Sequence, residues 1–444
     1  MENIILLGLI VFFAIAVVKG LNPIIALIIL AVCTRLTFAE QINFDVYMKM
    51  LNDFTYVLTN RIQNGGINIL LIGAYMSYLK QLGATELFVK KMSKIVKAIK
   101  WPYVVLAMTW LLGACLGLFI NSATSLSVLL MGTMAPILLK YAVSRTSICS
   151  VISTTLCLDW SPADTACIMA ANTAKVEHLH YWTRCQLPIA LVLIVILFFV
   201  NFIYHRFIDN KKGGSEKYQT EDTTLVSKSA ELSFFYVFMP TMPILCLCIL
   251  TFIFNIKATI GIATALSMLI VTVAEMFRRK KVKDTLQSLV VVIESFGRDF
   301  SSVILLIVAG EFMVQGIKCK DVLNKVFHCF QGTELSSAVV LIIIAIIILL
   351  SSFAMGTSAA PFYSLLPFVP VLCQQYNLEA TSVLVVMQYS AGIGRSMSPI
   401  SAVLLTTSAS GCVSPIDVAK RNFIPMLIAF ITMLITVMLF WKAN

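Results

Sequence analysis

Twice along this chain, once in each half, long apolar sequence is interrupted first at a short polar tip and then at a second polar break. The first pair is NSATSLS (Asn121 to Ser127), followed by Pro136, and DWSPADT (Asp159 to Thr165). The second is MGTSAAPFYS (Met355 to Ser364), followed by Pro370, and GIGRSMSP (Gly392 to Pro399). A helix crossing lipid must satisfy its own backbone polar groups, so irregular backbone at membrane depth survives only inside protein or along a water-filled cavity. Breaks repeated in the same order therefore point to a membrane bundle that holds something hydrophilic near its centre.

Composition agrees. Of 444 residues, 59% are hydrophobic and 12% charged, about half the charged fraction of soluble domains. The chain reads as all-α and polytopic, with apolar segments of about 20 residues forming one bundle in lipid. The formal net charge of +11 does not indicate nucleic acid, because the basic residues lie in short clusters between apolar runs, where topology accounts for them. The twelve cysteines are scattered without a CxxC pair and read as packing residues rather than metal ligands. Residues Ile4 to Val18 have neither a basic leader nor a small-residue cleavage site, and read as a retained first span.

The stretches 101–140 and 333–373 each contain two apolar runs separated by only a few small residues, which suggests re-entrant hairpins. On that reading Lys90, Lys91, Lys94, Lys97, Lys100, Lys140 and Arg145 fall on one side. Arg206, Lys211, Lys212 and Lys217, the run Arg278 to Lys283, and Lys420 with Arg421 fall there too. The positive-inside rule makes that side cytoplasmic. The expectation is about ten transmembrane helices plus two re-entrant hairpins in an inverted repeat, with both termini outside. The first repeat is 1–207, a cytoplasmic linker 208–232, and the second repeat 233–444. Internal similarity supports this: IGAYM (Ile72 to Met76) resembles VAGEFM (Val308 to Met313), and the two SP breaks at Ser161 and Ser398 share the same offset.

A helix that starts in mid-membrane presents unpaired N–H groups and a positive partial charge. Four such starts would favour an anion, with hydroxyls and amides supplying the remaining contacts. The candidate substrate-binding residues are Asn121, Ser122, Thr124 and Ser125 at one tip, Thr357 and Ser358 at the other, and Arg395 and Ser398 at the second break. A guanidinium in hydrocarbon must be paired or face water. Arg395 either grips a substrate carboxylate or pairs with Asp159 or Asp164. Those two aspartates, with Ser161, are the candidate site for a coupling ion, Na⁺ or H⁺. The competing explanation is that small residues here only let helices pack closely, but packing alone does not require Pro, Gly and several hydroxyls at equivalent places in both halves. His178 and His180 in EHLHYW lack further ligands nearby, so an interfacial loop with Tyr181 and Trp182 is the better reading. No phosphate-binding GxxxxGK[ST] loop and no catalytic constellation are present. A secondary transporter without a cofactor is expected rather than an enzyme.

SATSLSVLLM (Ser122 to Met131), APFY (Ala360 to Tyr363), GRSMSPIS (Gly394 to Ser401) and the apolar end after SPIDVAKR resemble the anaerobic C4-dicarboxylate carriers of the DcuC-like family, in the same order through most of the chain. The resemblance implies secondary transport of succinate, fumarate or malate by exchange or ion coupling, in a multi-pass protein of a bacterial inner membrane. It also implies the two-hairpin inverted repeat. DWSPADT departs from the small, hydroxyl-rich pattern expected there, with Asp159 and Trp160 the odd residues, which leaves amino acids or other organic anions open as substrates. Na⁺/H⁺ antiport through Asp159 and Asp164 is the alternative chemistry on the same fold, and a non-transporting sensor is the alternative class. The expected partners are a small anion and membrane lipid, with a homodimer interface as one source of a fixed scaffold.

Overall fold

The computed structural model describes residues 21–37, 43–96, 101–120, 122–211, 236, 238–254, 259–279, 282–316 and 337–443. The first apolar run, Asn121 and most of the linker lie outside the described residues, as do the outermost residues of the second hairpin. What is described is helix and connecting turn throughout, the arrangement that lets each lipid-facing segment satisfy its own backbone.

Among the described residues, five helices are long and apolar enough to cross a membrane: Ala123–Lys140, His178–Asn210, Ile260–Arg278, Ser337–Met355 and Pro415–Leu439. Their outer faces are apolar. Leu191, Val195, Phe199 and Ile203 stand exposed at helical spacing, as do Ile262, Leu266, Leu269 and Val273, an arrangement water would not tolerate but lipid requires. The expected ten spans are thus not all continuous helices. Pro102–Leu116 is about 22 Å long, short of the roughly 30 Å hydrocarbon core. Other apolar segments are divided by π turns, Ile62–Gly66 ahead of Ile67–Leu82 and Phe300–Ile304 ahead of Leu305–Gly316. Those two turns precede the pair of internally similar segments, IGAYM and VAGEFM. Ala123–Lys140, the return arm of the first expected hairpin, is by length and composition alone sufficient for a span. Leu187–Lys211 runs past 207, so the linker's first residues continue a helix.

The two halves repeat one order of elements. Pro102–Leu116, a turn, Ala123–Thr133, Ala135–Lys140, Arg145–Ser153, a break, and Thr165–Ala174 are matched by a second series. That series is Ser337–Met355, a turn, Ala359–Leu365, Val369–Tyr376, Ala380–Met397, a break, and Ala402–Gly411. Packing between them is reciprocal. The first tip helix, Ala123–Thr133, packs on Ala402–Gly411, and the second, Ala359–Leu365, packs on Thr165–Ala174. Arg145–Ser153 packs on Ala402–Gly411, and Ala380–Met397 on Thr165–Ala174. Contacts that exchange roles in this way are those a two-fold relation generates. Asn422, fully buried in the last helix, donates to Ser153 Oγ (3.1 Å) and to the Ser396 carbonyl (2.8 Å), tying together the ends of both pre-break helices.

Candidate functional site

Pro102–Leu116 unwinds through tight turns, Leu118 N–H to the Cys115 carbonyl and Phe119 N–H to that of Leu116, and the chain restarts as a helix at Ala123. Ser122, in extended backbone, caps that start: its Oγ accepts from the Ser125 amide at 3.4 Å and donates to Ser125 Oγ at 2.9 Å. A side-chain oxygen at this position satisfies a donor the helix leaves orphaned. Lys80 Nζ, from the last turn of Ile67–Leu82, reaches the same Ser125 Oγ at 3.0 Å.

The tip opens on a cavity of about 690 Å³. It is lined by the polar residues Ser122, Thr124, Ser125, Asp164, Thr165 and Thr406, by Gly73, Ser77, Lys80, Glu86, Arg298 and Asp299, and by apolar residues such as Ile72 and Val303. The lining thus carries two cations and three carboxylates. Gly73 is needed at this wall, because a Cβ would collide with the Asp299 carboxylate. Asp299 in turn accepts from Ser295 Oγ at 3.2 Å, and Ser295 shares a hydrogen bond with Ser77 at 2.9 Å.

The first break is held open by side chains from several helices. Asp159 has left-handed backbone (φ 45°), which exposes its carbonyl to Gln186 Nε2 (3.1 Å) and Gln388 Nε2 (2.8 Å). The Trp160 indole donates to the Ala114 carbonyl (3.0 Å), and the Trp182 indole to the Trp160 carbonyl (2.9 Å). Ser161 Oγ donates to the Leu118 carbonyl at 2.7 Å and receives the Ala163 amide at 3.1 Å. Carbonyls released by the first tip are thereby satisfied by the first break, as buried backbone demands. Asp164 stands immediately before Thr165–Ala174, and Thr165 shares a hydrogen bond with the Tyr363 hydroxyl of Ala359–Leu365.

The second tip is bridged rather than capped. Gly356, at φ 68°, ends Ser337–Met355 in the left-handed conformation glycine permits, its amide bonded to the Ser352 carbonyl at 2.9 Å. Ser358 does not cap the following helix. Instead its Oγ accepts from Arg395 Nη1 at 3.3 Å, while Arg395 Nη2 donates to the Leu156 carbonyl (2.5 Å) and to the Asp159 carboxylate (3.2 Å). Of the two roles open to Arg395, the conformation here displays the ion pair with Asp159. Gly392 allows it: a Cβ there would strike the Cys157 carbonyl.

The residues singled out in the sequence thus fall into two groups. Ser122, Thr124, Ser125 and Asp164 share the cavity wall, whereas Asp159, Ser358 and Arg395 form a bridge between the halves. Ser161 is engaged with backbone. Ser398 is fully buried with no hydrogen-bond partner for its Oγ among the described residues, and Thr357 is half-buried beside the second tip. Lys80, Asp299, Gln186, Gln388 and Tyr363 were not expected at the site. The first two border charged sequence that resembles an interface, and the others look like ordinary span residues. The EHLHYW segment, expected as a loop, is helical: His178–His180 runs into a π turn from Tyr181. Tyr181 is wholly buried and Trp182 supports the break, because a broken helix needs donors that only neighbouring side chains supply.

The sequence profile of the C4-dicarboxylate anaerobic carriers matches residues 1–441. The probable anaerobic C4-dicarboxylate transporter DcuC of Vibrio cholerae is 26% identical, over 98% of this chain and 97% of its own length. The anaerobic C4-dicarboxylate transporter DcuC of Escherichia coli K12 is 23% identical, over 83% of this chain and 79% of its own. The crystal structure of the YdaH transporter of Alcanivorax borkumensis superposes with a TM-score of 0.63 at 11% identity, covering 98% of this chain and 97% of that one.

Proposed function

The chain belongs to the C4-dicarboxylate anaerobic carrier family and is a membrane transporter rather than an enzyme; on that premise we propose that it carries C4 diacids such as succinate, fumarate and malate across a bacterial inner membrane. The observation that carries this reading is the cavity beneath the first tip, where a capped helix start, three hydroxyl side chains and a lysine converge. Such donors recognise carboxylate oxygens, the lysine through a charge-assisted contact.

Cation-coupled transport is favoured over bare anion exchange by the charges on the cavity wall. Glu86, Asp164 and Asp299 line the cavity with Lys80 and Arg298, so a dianion is received among acidic side chains as well as basic ones. A co-bound Na⁺ or H⁺ offsets that, and Asp164, Asp159 and Ser161 are the proposed coupling residues. Arg395 acts in this scheme as the clamp between Asp159 and the second tip, and a substrate carboxylate would reach it once Asp159 lets go. Ser398, Thr357 and Asn121 complete the proposed lining in the conformations where the tips approach.

The proposed architecture is ten spans and two re-entrant hairpins, 101–140 and 333–373, in repeats 1–207 and 233–444 around the linker 208–232. The reciprocal packing of tips and post-break helices supports the repeat. Inversion rests on the charge pattern, and the motion expected is a hairpin-bearing body sliding against a scaffold that a homodimer would steady.

The test is uptake of labelled succinate into proteoliposomes preloaded with fumarate, aspartate or buffer, with and without Na⁺ and pH gradients. Saturable uptake that needs an internal diacid or an ion gradient supports the reading. No succinate flux under any gradient, from folded protein, moves the substrate to amino acids, and cation flux that needs no organic anion moves the function to Na⁺/H⁺ antiport.

A further inference from the structure

Within the cavity, one group unites charge with the tip hydroxyls. Lys80 Nζ donates to Ser125 Oγ at 3.0 Å, and Ser122 Oγ donates to the same atom at 2.9 Å. A hydroxyl has two lone pairs and one proton. With both lone pairs used, the Ser125 proton is left to point at an acceptor, and the Lys80 ammonium, with three N–H groups, keeps donors for that acceptor too. The three side chains therefore form an acceptor-seeking cluster on the cavity wall, carried by two elements that pack on different partners. Ile67–Leu82 packs on Val290–Asp299 and Ile260–Arg279, and Ala123–Thr133 packs on Ala402–Gly411.

The carboxylates nearby do not occupy this cluster. Asp299 takes its hydrogen bond from Ser295 and rests over Gly73, and the hydrogen bond from Lys80 goes to the tip, not to an acid. Arg395, the cation most conspicuous in the sequence, is absent from the cavity lining and is engaged by Leu156, Asp159 and Ser358. A dicarboxylate in this cavity finds Lys80 beside the tip hydroxyls.

Building on the C4-diacid reading, we propose that Lys80 is a specificity-determining residue: with Ser125 it receives one carboxylate of the substrate, and its charge makes the protein prefer diacids to their mono-esters. The carboxylate takes the Ser125 proton as a hydrogen bond and an N–H of Lys80 as a charge-assisted one, the stronger class of contact. Because Lys80 and Ser125 lie on two helices with different packing partners, the bound diacid also bridges those helices.

The test compares wild type, Lys80→Gln and Lys80→Arg in proteoliposomes, measuring KM and maximal rate for labelled succinate and for labelled monomethyl succinate, with monodispersity and melting temperature as folding controls. The proposal expects Lys80→Gln to raise the succinate KM about tenfold or more and to narrow the gap between succinate and its mono-ester. Lys80→Arg should keep the preference for the diacid. A succinate KM in Lys80→Gln within about twofold of wild type overturns the assignment while leaving the transporter reading intact. Equal losses for diacid and mono-ester also overturn it, since a merely structural lysine would act that way. Absence of C4-diacid flux in folded wild type removes the transport reading itself, and with it the ligand named here.

Discussion

The two tips occupy corresponding places in a repeated order of elements, yet one is capped by its own serine beside a cavity and the other is bridged to the first break by Arg395. At the first, Ser122 caps an 11-residue helix and Lys80 donates to Ser125 at the cavity wall. At the second, glycine makes the turn, the following helix has no side-chain cap, and Arg395 binds Ser358 and Asp159 together. The sequence difference behind this is small: a capping serine at one tip, a left-handed glycine at the other, and an arginine in only one of the two breaks. Near-symmetry supplies two corresponding tips, and a few polar residues decide how each is held in a given conformation.

Removing the clamp should break that contrast most severely. Arg395→Ala leaves the Asp159 carboxylate, whose side chain is only 18% exposed, without its cation, and stranding one member of a buried pair costs about 3–5 kcal/mol. A large fall in melting temperature and loss of succinate uptake are expected. The double variant Arg395→Met, Asp159→Asn should recover much of the stability, since an ion pair replaced as a unit is often neutral. Equal melting temperatures for the single and double variants would show that the pair is not the clamp.

A smaller effect is expected at the second turn. Gly356→Ala places a Cβ at φ 68° against Ile400 backbone, and the left-handed region alone costs about 1–2 kcal/mol. The variant should melt lower than wild type while the first tip, probed by the succinate KM, stays unchanged.

Smallest in stability is Ser122→Ala, which loses a cap worth about 1 kcal/mol. Its effect on uptake should exceed its effect on melting, because it also frees Ser125 from the arrangement with Lys80. The reverse ranking would make Ser122 a helix cap and nothing more.

The breaks themselves were legible. Proline, glycine and hydroxyl residues inside apolar sequence have few explanations other than interrupted helices, and DWSP and SMSP lie where the helices stop. The partner of Arg395 was narrowed to Asp159 or Asp164 without being decided, since nothing local distinguishes them; the turn that aims Asp159 depends on Gln186, Gln388 and Trp182, which come from distant helices. Lys80 escaped notice because a lysine in the last turn of an apolar helix usually marks an interface. The π turns were invisible too, as their residues carry no distinctive composition, and they shortened the spans that hydropathy alone would have counted as continuous.

The asymmetry of the tips is tested most directly by thiol labelling in a variant whose native cysteines are replaced, carrying either Ser125→Cys or Ser358→Cys and probed with a water-soluble maleimide with and without succinate. The account predicts rapid labelling at position 125, slowed by succinate and not by its mono-ester, and slow labelling at 358 whether succinate is present or not. Faster labelling at 358, or protection by succinate there and not at 125, would contradict it.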